Sequence, residues 1–442
     1  MWAELHIRRV GSAQSSPAQG GICLRSARAA LALGLLLGAS GCGGAGAVPS
    51  QSSVEVLGSW TGSEADAFQA VIQPFMDRTG IRVDYTTTRD LHGAIADGLA
   101  DGHPPDLAGL EGPAHLQELA SNGVLKDLGG AIDLQAYKQS VAPTFIDFGS
   151  VNGQLLGVFL KATVKGLIWY DPSVFRRGTP TTLADLQWMS EPYLTGETHQ
   201  WCVGLASDES SGWPGTDLVE SFLIHQSGVS AYDRWVDGEL AWTSAEVRRA
   251  FQAFGQVVAN DAVHGGVEGA LTTAFQDAGE PLFSTPPGCL FLHQASFMPT
   301  FFEARGWTAG VDFDFFPFPD IEPENQGSVI GAGDLLGLLT DNPAAAQLLR
   351  YLASPDAQSI FVAHGGALSV DRRVSKYPNE LVRREAALLA GAKRFRFDAS
   401  DLMPADVNQA FWRAILDFTA DQTRLDQILE RLDGVRHESY GH

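Results

Sequence analysis

The sequence predicts an α/β protein built around a parallel sheet, and three observations support that fold class. Residues Val54–Trp60 have the pattern of a short strand, Ser63–Gly80 place apolar residues at helical spacing, and Ile81–Thr88 alternate like a half-buried strand. Strand, helix and strand in close succession form a βαβ unit, whose two strands are parallel. A further strand is predicted to begin at His103, and a helix follows it. About 400 residues follow the leader, which is enough chain for two domains.

The amino-terminal segment has the pattern of an export signal. The apolar run Ala29–Ala39 follows Arg25 and Arg28 and is too short to span a bilayer, which needs about 20 residues. We therefore predict a signal peptide over residues 1–41 and a flexible tether of small and polar residues over 42–53.

The junction between these two segments is similar to a bacterial lipobox. It reads Ala39, Ser40, Gly41, Cys42, whereas a lipobox usually has leucine at the first of these positions. On this interpretation Cys42 is lipid-modified, becomes the first residue of the mature chain and anchors it to the outer face of the cytoplasmic membrane. The alternative is an ordinary signal peptide that is cleaved near residues 45–47, which would discard Cys42.

The charge balance excludes some classes of partner. The chain has 30 Lys and Arg against 52 Asp and Glu, a formal net charge of −22. Such a surface repels phosphate backbones and anionic headgroups, so we expect no nucleic-acid partner and no electrostatic membrane docking.

Signals for catalysis, cofactors and metals are weak. The sequence contains no G-x-S-x-G, H-E-x-x-H or P-loop motif and no Cys/His cluster at zinc-ligand spacing. Gly331–Gly337 approaches a dinucleotide fingerprint, but its spacing is G-x-G-x-x-x-G and the chain continues as a strand. We therefore expect no cofactor and no metal. A carbohydrate-active extracytoplasmic enzyme and a structural or adhesion lipoprotein stay open as alternatives.

Two cysteines lie well inside the mature region, Cys202 and Cys289. Pairing is the default expectation for an exported protein. The alternative is two separate, buried free thiols.

Tryptophans beside turn-forming and acidic residues indicate ligand binding. Trp60 follows a strand and precedes a helix, and Trp213 lies between Gly and Pro, with Asp217 predicted to open the next helix. A tryptophan on such a turn is not expected in a core, and its flat face suits the C–H face of a sugar ring. Neighbouring carboxylates can accept hydrogen bonds from sugar hydroxyls. We expect at least one of the two tryptophans to contact a ligand.

Taken in order, these stretches resemble the bacterial ABC-transporter extracellular solute-binding proteins of the sugar-binding family (family 1). The resemblance covers residues 54–374, with Asp171 where the family usually has Asn. Its main carriers are "VEVLGSWTGSEADAFQAVIQPFMDRTGIRVDY", "PPDLAGLEGPAHLQELASNGVLKDL", "GVFLKATVKGLIWYDPSVF", "WCVGLASDESSGWPGTDLVE", "GCLFLHQASFM" and "SVIGAGDLLGLLTDNPAAAQLLRYLASPDAQSIF". The segments "WC", "SGWPGTD" and "GCLFLHQASF" within them together look like one subgroup, in which Cys202 and Cys289 would pair.

The resemblance implies a two-lobed periplasmic-binding-protein (Venus flytrap) fold with three interlobe crossings. The N-terminal lobe would comprise 54–163 and 318–367, and the C-terminal lobe 164–317 and 368–442. Such a protein is a monomer that performs no chemistry. It closes on a solute in the cleft, and the closed form docks on an ABC permease.

The resemblance also implies a set of ligand-binding positions. They are Ser59, Trp60, Glu64, Asp106, Glu111, Lys161 and Thr163 on the first lobe, Trp213, Asp217, Gln294 and Ser296 on the second, and Gly333 and Asp334 on the first again. Glu64 and Asp217 could instead only complement a helix dipole, and Lys161 could be a solvated side chain on a strand.

The predicted solute is a neutral carbohydrate, a di- or oligosaccharide. A phosphate-bearing solute such as a glycerophosphodiester would need an Arg cluster or exposed backbone N–H groups. The implied site contains Lys161 and no arginine, which favours the neutral sugar.

Overall fold

The structure is a computed structural model that describes residues 52–88, 90–365 and 367–441. The predicted signal peptide and Cys42 lie outside the described residues, as does nearly all of the predicted tether. The first strand already begins at Ser53, which the prediction had assigned to the tether. Within the described ranges, no helix is both long enough and apolar enough to cross a bilayer.

The strands of the described chain form three sheets. They are β1 (Ser53–Gly58), β2 (Arg82–Thr87), β3 (Leu107–Leu110), β4 (Ser150–Val151), β5 (Gln154–Leu155), β6 (Gly157–Val164), β7 (Leu167–Tyr170), β8 (His199–Cys202), β9 (Cys289–Gln294), β10 (Asp314–Pro317), β11 (Ser328–Leu338) and β12 (Arg394–Phe397).

The helices cover the faces of the two larger sheets. They are α1 (Ser63–Thr79), α2 (Leu91–Ala100), α3 (Pro113–Ser121), α4 (Leu134–Ser140), α5 (Pro143–Phe148), α6 (Leu183–Ser190), α7 (Trp213–Val236), α8 (Ala245–Val257), α9 (Gly266–Thr272), α10 (Met298–Ala304), α11 (Pro343–Leu352), α12 (Pro355–Ala363), α13 (Glu380–Gly391), α14 (Ala405–Ala420) and α15 (Leu425–Tyr440).

The first sheet has the order β12-β11-β3-β1-β2, and β6 pairs with the other edge of β11. The predicted βαβ unit is confirmed, because β1 and β2 pair in parallel and α1 connects them. Helix α1 buries Phe68, Val71, Ile72 and Phe75 in the core of this lobe. It ends at Gly80, whose φ of 69° lies in the left-handed region that favours glycine.

The second sheet has the order β10-β7-β9-β8 and organises the other lobe. One core lies between this sheet and helices that include α7, α8 and α14, and a smaller core covers Trp169 with Phe302 and Phe313. Strands β8 and β9 are parallel neighbours, and a disulfide joins Cys202 to Cys289 across them. The predicted pairing of the two cysteines is thereby confirmed.

The chain passes between the two lobes three times. The first crossing follows β6, the second joins β10 to β11, and the third joins β12 to α14. They lie side by side, because the Lys165 amide donates to the Ile330 carbonyl and the Asp398 amide donates to the Gly331 carbonyl, both at 2.8 Å. The first crossing turns at Gly166, where φ is 71° and a side chain would meet Ser221.

Several residues near the predicted lobe boundaries pack in the opposite core. Phe318 and Ile330 belong to the core of the second lobe, and Val370 and Phe397 belong to that of the first. The residue limits given above for the lobes stay a prediction.

Candidate functional site

The crossings lie beyond the carboxyl-terminal ends of β1 and β3. Leu335 of β11 pairs with Leu110 at the end of β3, so the part of β11 before Leu335 extends past that edge of the sheet. Because β1 and β3 are parallel, the residues that follow both strands lie at this same edge. The candidate site is therefore the space where this edge meets the crossings and the second lobe.

A buried lysine organises the side of the site that belongs to the first lobe. Nζ of Lys161, on β6, lies 2.5 Å from Oε1 of Glu64 on α1 and 3.0 Å from Oδ2 of Asp334 on β11. Burial alone would lower the pKa of Lys161, but Asp334 and Glu64 hold it above its ordinary value. Lys161 is thus a charged residue engaged by two carboxylates, and the alternative of a solvated strand side chain is wrong.

Trp60 is part of the core, contrary to the expectation for a tryptophan on a turn. Only 2% of it is exposed, and its ring packs on Phe68 and Tyr85 with centroid distances of 4.9 and 5.9 Å. Gly109 makes room for it, because a Cβ there would lie 2.9 Å from the ring. Trp60 contributes to the site through its polar edge, since its Nε1 donates to Oδ2 of Asp334 at 2.5 Å.

Tyr85 supports the same arrangement from β2. Its hydroxyl donates to the Trp60 carbonyl at 2.9 Å, and burial raises the pKa of Tyr85 to about 12. The tyrosine therefore stays protonated and holds the turn that carries Trp60.

A second buried lysine organises the side of the site that belongs to the other lobe. Nζ of Lys165, in the first crossing, lies 2.9 and 3.0 Å from the two oxygens of Asp217 on α7, and 3.0 Å from Asp398 in the third crossing. Burial alone would lower the pKa of Lys165, but Asp217 and Asp398 raise it. Burial also raises the pKa of Asp217, and Lys165 opposes that rise. This ion-pair cluster joins two crossings to α7.

Glu220 fixes the position of the third crossing. Its fully buried carboxylate accepts from the Ala399 amide at 2.8 Å, the Ser400 amide at 3.1 Å and the Tyr232 hydroxyl at 2.8 Å. Asp398 accepts from the Ser400 hydroxyl at 2.6 Å within the same segment. These bonds hold Asp398 beside Lys165.

Asp401 lies where the third crossing touches the first lobe. The Ala114 amide donates to the Asp401 carbonyl at 3.4 Å. A Cβ on Gly112 would lie 3.1 Å from the Cβ and from the carbonyl oxygen of Asp401. Burial, reinforced by Asp398, raises the pKa of Asp401, and Glu111 adds to the rise from the first lobe. The third crossing therefore packs at Asp401 against Gly112 and Ala114, directly after Glu111 of the first lobe.

Trp213 is the first residue of α7, so the prediction that it lies on a turn before a helix opened by Asp217 is wrong by one helical turn. Proline in the first turn of a helix needs no N–H partner, which lets the helix begin one residue before Pro214. The half-buried Trp213 ring has Nζ of Lys165 at 4.9 Å from its centroid. Phe275 and Phe297 pack on it at 5.1 and 6.0 Å.

The remaining predicted residues near the crossings make internal contacts. Ser296 accepts from the Val164 amide at 3.0 Å, and Gln294 accepts from the Ala295 amide at 2.8 Å. A Cβ on Gly333 would lie 2.5 Å from the Lys161 carbonyl, so close pairing of β6 with β11 requires this glycine. Ser59 and Thr163 are buried at the same edge.

Asp106 lies at the amino-terminal end of β3, at the edge of the sheet opposite the candidate site. The prediction that it lies at the strand end that faces the site was therefore wrong. Asp106 precedes β3, and its carboxylate accepts from the Glu55 amide at 3.0 Å, from Asn342 at 2.9 Å and from the Thr340 hydroxyl. The carboxylate thereby fixes the far ends of β1 and β11.

Sequence reasoning missed several members of the site. They are Tyr85, Lys165, Glu220, Asp398 and Asp401. Lys165 could have been found, because it lies four positions after Lys161, an even spacing that places side chains of an extended chain on the same face. The two aspartates carry no local signal. Within the described ranges, no group of three or more His, Cys, Asp or Glu side chains is placed to hold a metal ion.

The two lobes, the three adjacent crossings and the clusters of charged side chains beside these crossings define a two-lobed solute-binding protein. The family model described as bacterial extracellular solute-binding protein matches residues 70–374, and the chain belongs to this family. As a member of an extracellular family, the protein is exported.

Two curated relatives match most of the chain. The alpha-glucosides-binding periplasmic protein AglE of Rhizobium meliloti is 33% identical over 393 residues, covering 85% of each chain. The osmoprotective compounds-binding protein GgtB of Synechocystis sp. is 30% identical over 390 residues, covering 86% of this chain and 92% of its own.

Solved structures share the fold at low sequence identity. A chitin oligosaccharide binding protein superposes with a TM-score of 0.74 at 16% identity, covering 88% of this chain and 99% of its own. RafE in complex with raffinose superposes with a TM-score of 0.70 at 14% identity, with the same coverage.

We expect Lys165→Met to lower the free energy of unfolding by about 3–5 kcal/mol, because it leaves Asp217 and Asp398 buried without their cation. Urea unfolding measures the change. Lys126→Met is the matched control, since the Lys126–Asp341 pair is also 2.9 Å long but lies at the surface. Lys126→Met should lower the free energy of unfolding by less than about 1 kcal/mol. Equal small losses in both variants would contradict a structural role for the buried cluster.

Proposed function

We propose that this protein is the carbohydrate-binding component of an ABC importer and that it captures a neutral α-glucoside, a di- or oligosaccharide, in the interlobe cleft. The observation that carries the proposal is the 33% identity to AglE, whose name gives alpha-glucosides as its ligand, over 85% of both chains. The chitin oligosaccharide binding protein and RafE in complex with raffinose, which share the fold, agree with a carbohydrate.

The chemistry of the cleft supports a sugar. The half-buried ring of Trp213 offers an apolar face of the kind that packs on sugar C–H groups. Glu111 belongs to the first lobe and Asp401 to the third crossing, which packs on Gly112 beside Glu111, and Glu64 and Asp334 are partly exposed. Carboxylate oxygens are strong acceptors for sugar hydroxyls. We assign direct ligand contact to these residues and a supporting role to the buried predicted residues near the crossings, and we leave Asp106 out of the site.

The same chemistry disfavours a phosphate-bearing solute. Binding a glycerophosphodiester would require cations that are available to the phosphate. Lys161 and Lys165 are each already engaged by two carboxylates. A neutral ligand requires no such cation.

The proposed mechanism is binding and delivery without catalysis. The solute would contact both lobes only when they are closed, so its binding energy shifts the population toward the closed form. A permease that recognises the closed form then receives loaded protein in preference to empty protein. The protein would act as a monomer.

A thermal-shift screen of the mature protein tests the function. Maltose, trehalose, sucrose and longer α-glucosides are compared with chitin oligosaccharides and glycerophosphodiesters. A ligand at 100 times its dissociation constant should add about 2.7 kcal/mol of stability. Chromatography of the recovered sugar should show it intact, whereas hydrolysis would indicate an enzyme. If none of the sugars raises the melting temperature, or if only the phosphodiesters raise it, the proposal is contradicted.

We expect Trp213→Ala to weaken binding of the best sugar about ten- to hundredfold, because it removes the stacking face, worth roughly 1–3 kcal/mol. Calorimetry measures the affinity. Trp188→Ala is the matched control, since Trp188 on α6 is 66% exposed and is not among the residues of the candidate site. Unchanged affinity in Trp213→Ala, with unchanged melting of the free protein, would mean that Trp213 does not contact the sugar.

We also propose that Cys42 carries a lipid that anchors the protein to the outer face of the cytoplasmic membrane. Cys42→Ser should release the protein from membranes or leave its precursor uncleaved, as fractionation and intact mass would detect. Cys23→Ser, which changes the leader cysteine, should leave anchoring unchanged. A wild-type mature form that starts at residues 45–47 would contradict the anchor.

A further inference from the structure

We propose that Glu64 and Asp334, by holding Lys161 between them, make the cleft reject anionic sugars such as uronic acids. The inference rests on the proposed function and adds the residues that determine its selectivity.

Two carboxylates surround each of the two buried lysines. Lys161 lies 2.5 and 3.0 Å from two carboxylates, and Lys165 lies 2.9 and 3.0 Å from two others. Counting the formal charges of Lys161, Glu64 and Asp334, the cluster of the first lobe has one more negative than positive charge. A lysine in an apolar or neutral setting would attract a sugar carboxylate, but a lysine with two carboxylates presents a negative cluster.

The cluster of the first lobe is the one that a solute can reach. The side chains of Glu64 and Asp334 are 28% and 19% exposed, whereas that of Lys161 is 9% exposed. In the other cluster, the side chains of Asp217 and Asp398 are at most 2% exposed. A solute that approaches Lys161 therefore meets carboxylate oxygens before it meets the ammonium group.

This arrangement discriminates between sugars by charge. A hydroxyl can donate a hydrogen bond to Glu64 or Asp334, so a neutral sugar gains from the exposed oxygens. A uronate carboxylate at the same position has no proton to donate and is repelled by like charge within a few ångströms. The buried setting reduces screening by salt, so the repulsion persists at physiological ionic strength.

Glu64 is the better residue to substitute, because Asp334 makes a second interaction. Asp334 also accepts from the buried Trp60 indole, and replacing it would leave that donor unpaired. Glu64→Gln keeps the size of the side chain and an oxygen that can accept from Lys161. It removes the negative charge and replaces the other carboxylate oxygen with an NH2 donor.

The experiment measures two ligands by calorimetry. One is the α-glucosyl disaccharide that gives the largest thermal shift, and the other is the same disaccharide with one C6 oxidised to a carboxylate. Wild-type protein should bind the carboxylate form at least about 100-fold more weakly. Glu64→Gln should narrow that ratio about tenfold, and Glu64→Asp, which keeps the charge, should not. Asp341→Asn removes the same charge from a side chain that is 86% exposed and should leave the ratio unchanged.

The outcomes separate this inference from the proposed function. Failure of wild-type protein to bind any neutral sugar would refute the function. Equal wild-type affinity for both disaccharides would overturn the inference while leaving the function intact. An unchanged ratio in Glu64→Gln, or an equally narrowed ratio in Glu64→Asp or Asp341→Asn, would also overturn it. If Glu64→Gln binds neither sugar, Lys161→Met becomes the test, and improved binding of the carboxylate form in that variant would contradict the inference.

Discussion

The pairing of two buried lysines, Lys161 and Lys165, with two carboxylates each is the constraint on which the site depends. Lys161 and Lys165 lie four positions apart on β6 and the crossing that follows it. Removing an ammonium group from water costs several kcal/mol unless carboxylates surround it, so each lysine requires its partners in place. Lys161 thereby positions α1 against β11, and Lys165 positions α7 against the third crossing. The same bonds that make burial of the lysines tolerable also decide which charges face the cleft.

The two tryptophans that the sequence places beside turns have different surroundings for reasons of local geometry. After Trp60 the chain returns at once into α1, which lays Phe68 on the ring, and Gly109 leaves room for the ring to sink between strands. Trp213 starts α7, where no preceding helical turn can cover it, and its ring stays half-buried. Trp60 therefore contributes a hydrogen-bond donor to Asp334, and Trp213 contributes the face of its ring.

Local patterns predicted the features that depend on neighbours in sequence. Apolar spacing and Gly80 delimited α1, and the strand patterns on either side of it predicted the βαβ unit. Partners far apart in sequence were not predictable, because periodicity indicates which face is buried but not which distant carboxylate meets a lysine. Lys165 and Asp398 are an example, since nothing around Asp398 distinguishes it from the other acids of this acidic chain. Asp106 was misplaced because the strand was predicted to begin at His103, whereas β3 begins at Leu107, after the aspartate.

Charge acts on the solute at two ranges, and both favour the same class of ligand. The formal net charge of −22 gives the surface a field that repels anions before contact. At contact, the engaged lysines offer an anion no compensating partner. A neutral sugar is indifferent to the first effect and can donate hydrogen bonds to the carboxylates that cause the second. An acidic exported protein can therefore use carboxylates as the main polar contacts of its cleft, because the ligand proposed here has hydroxyl protons to give them and no charge of its own.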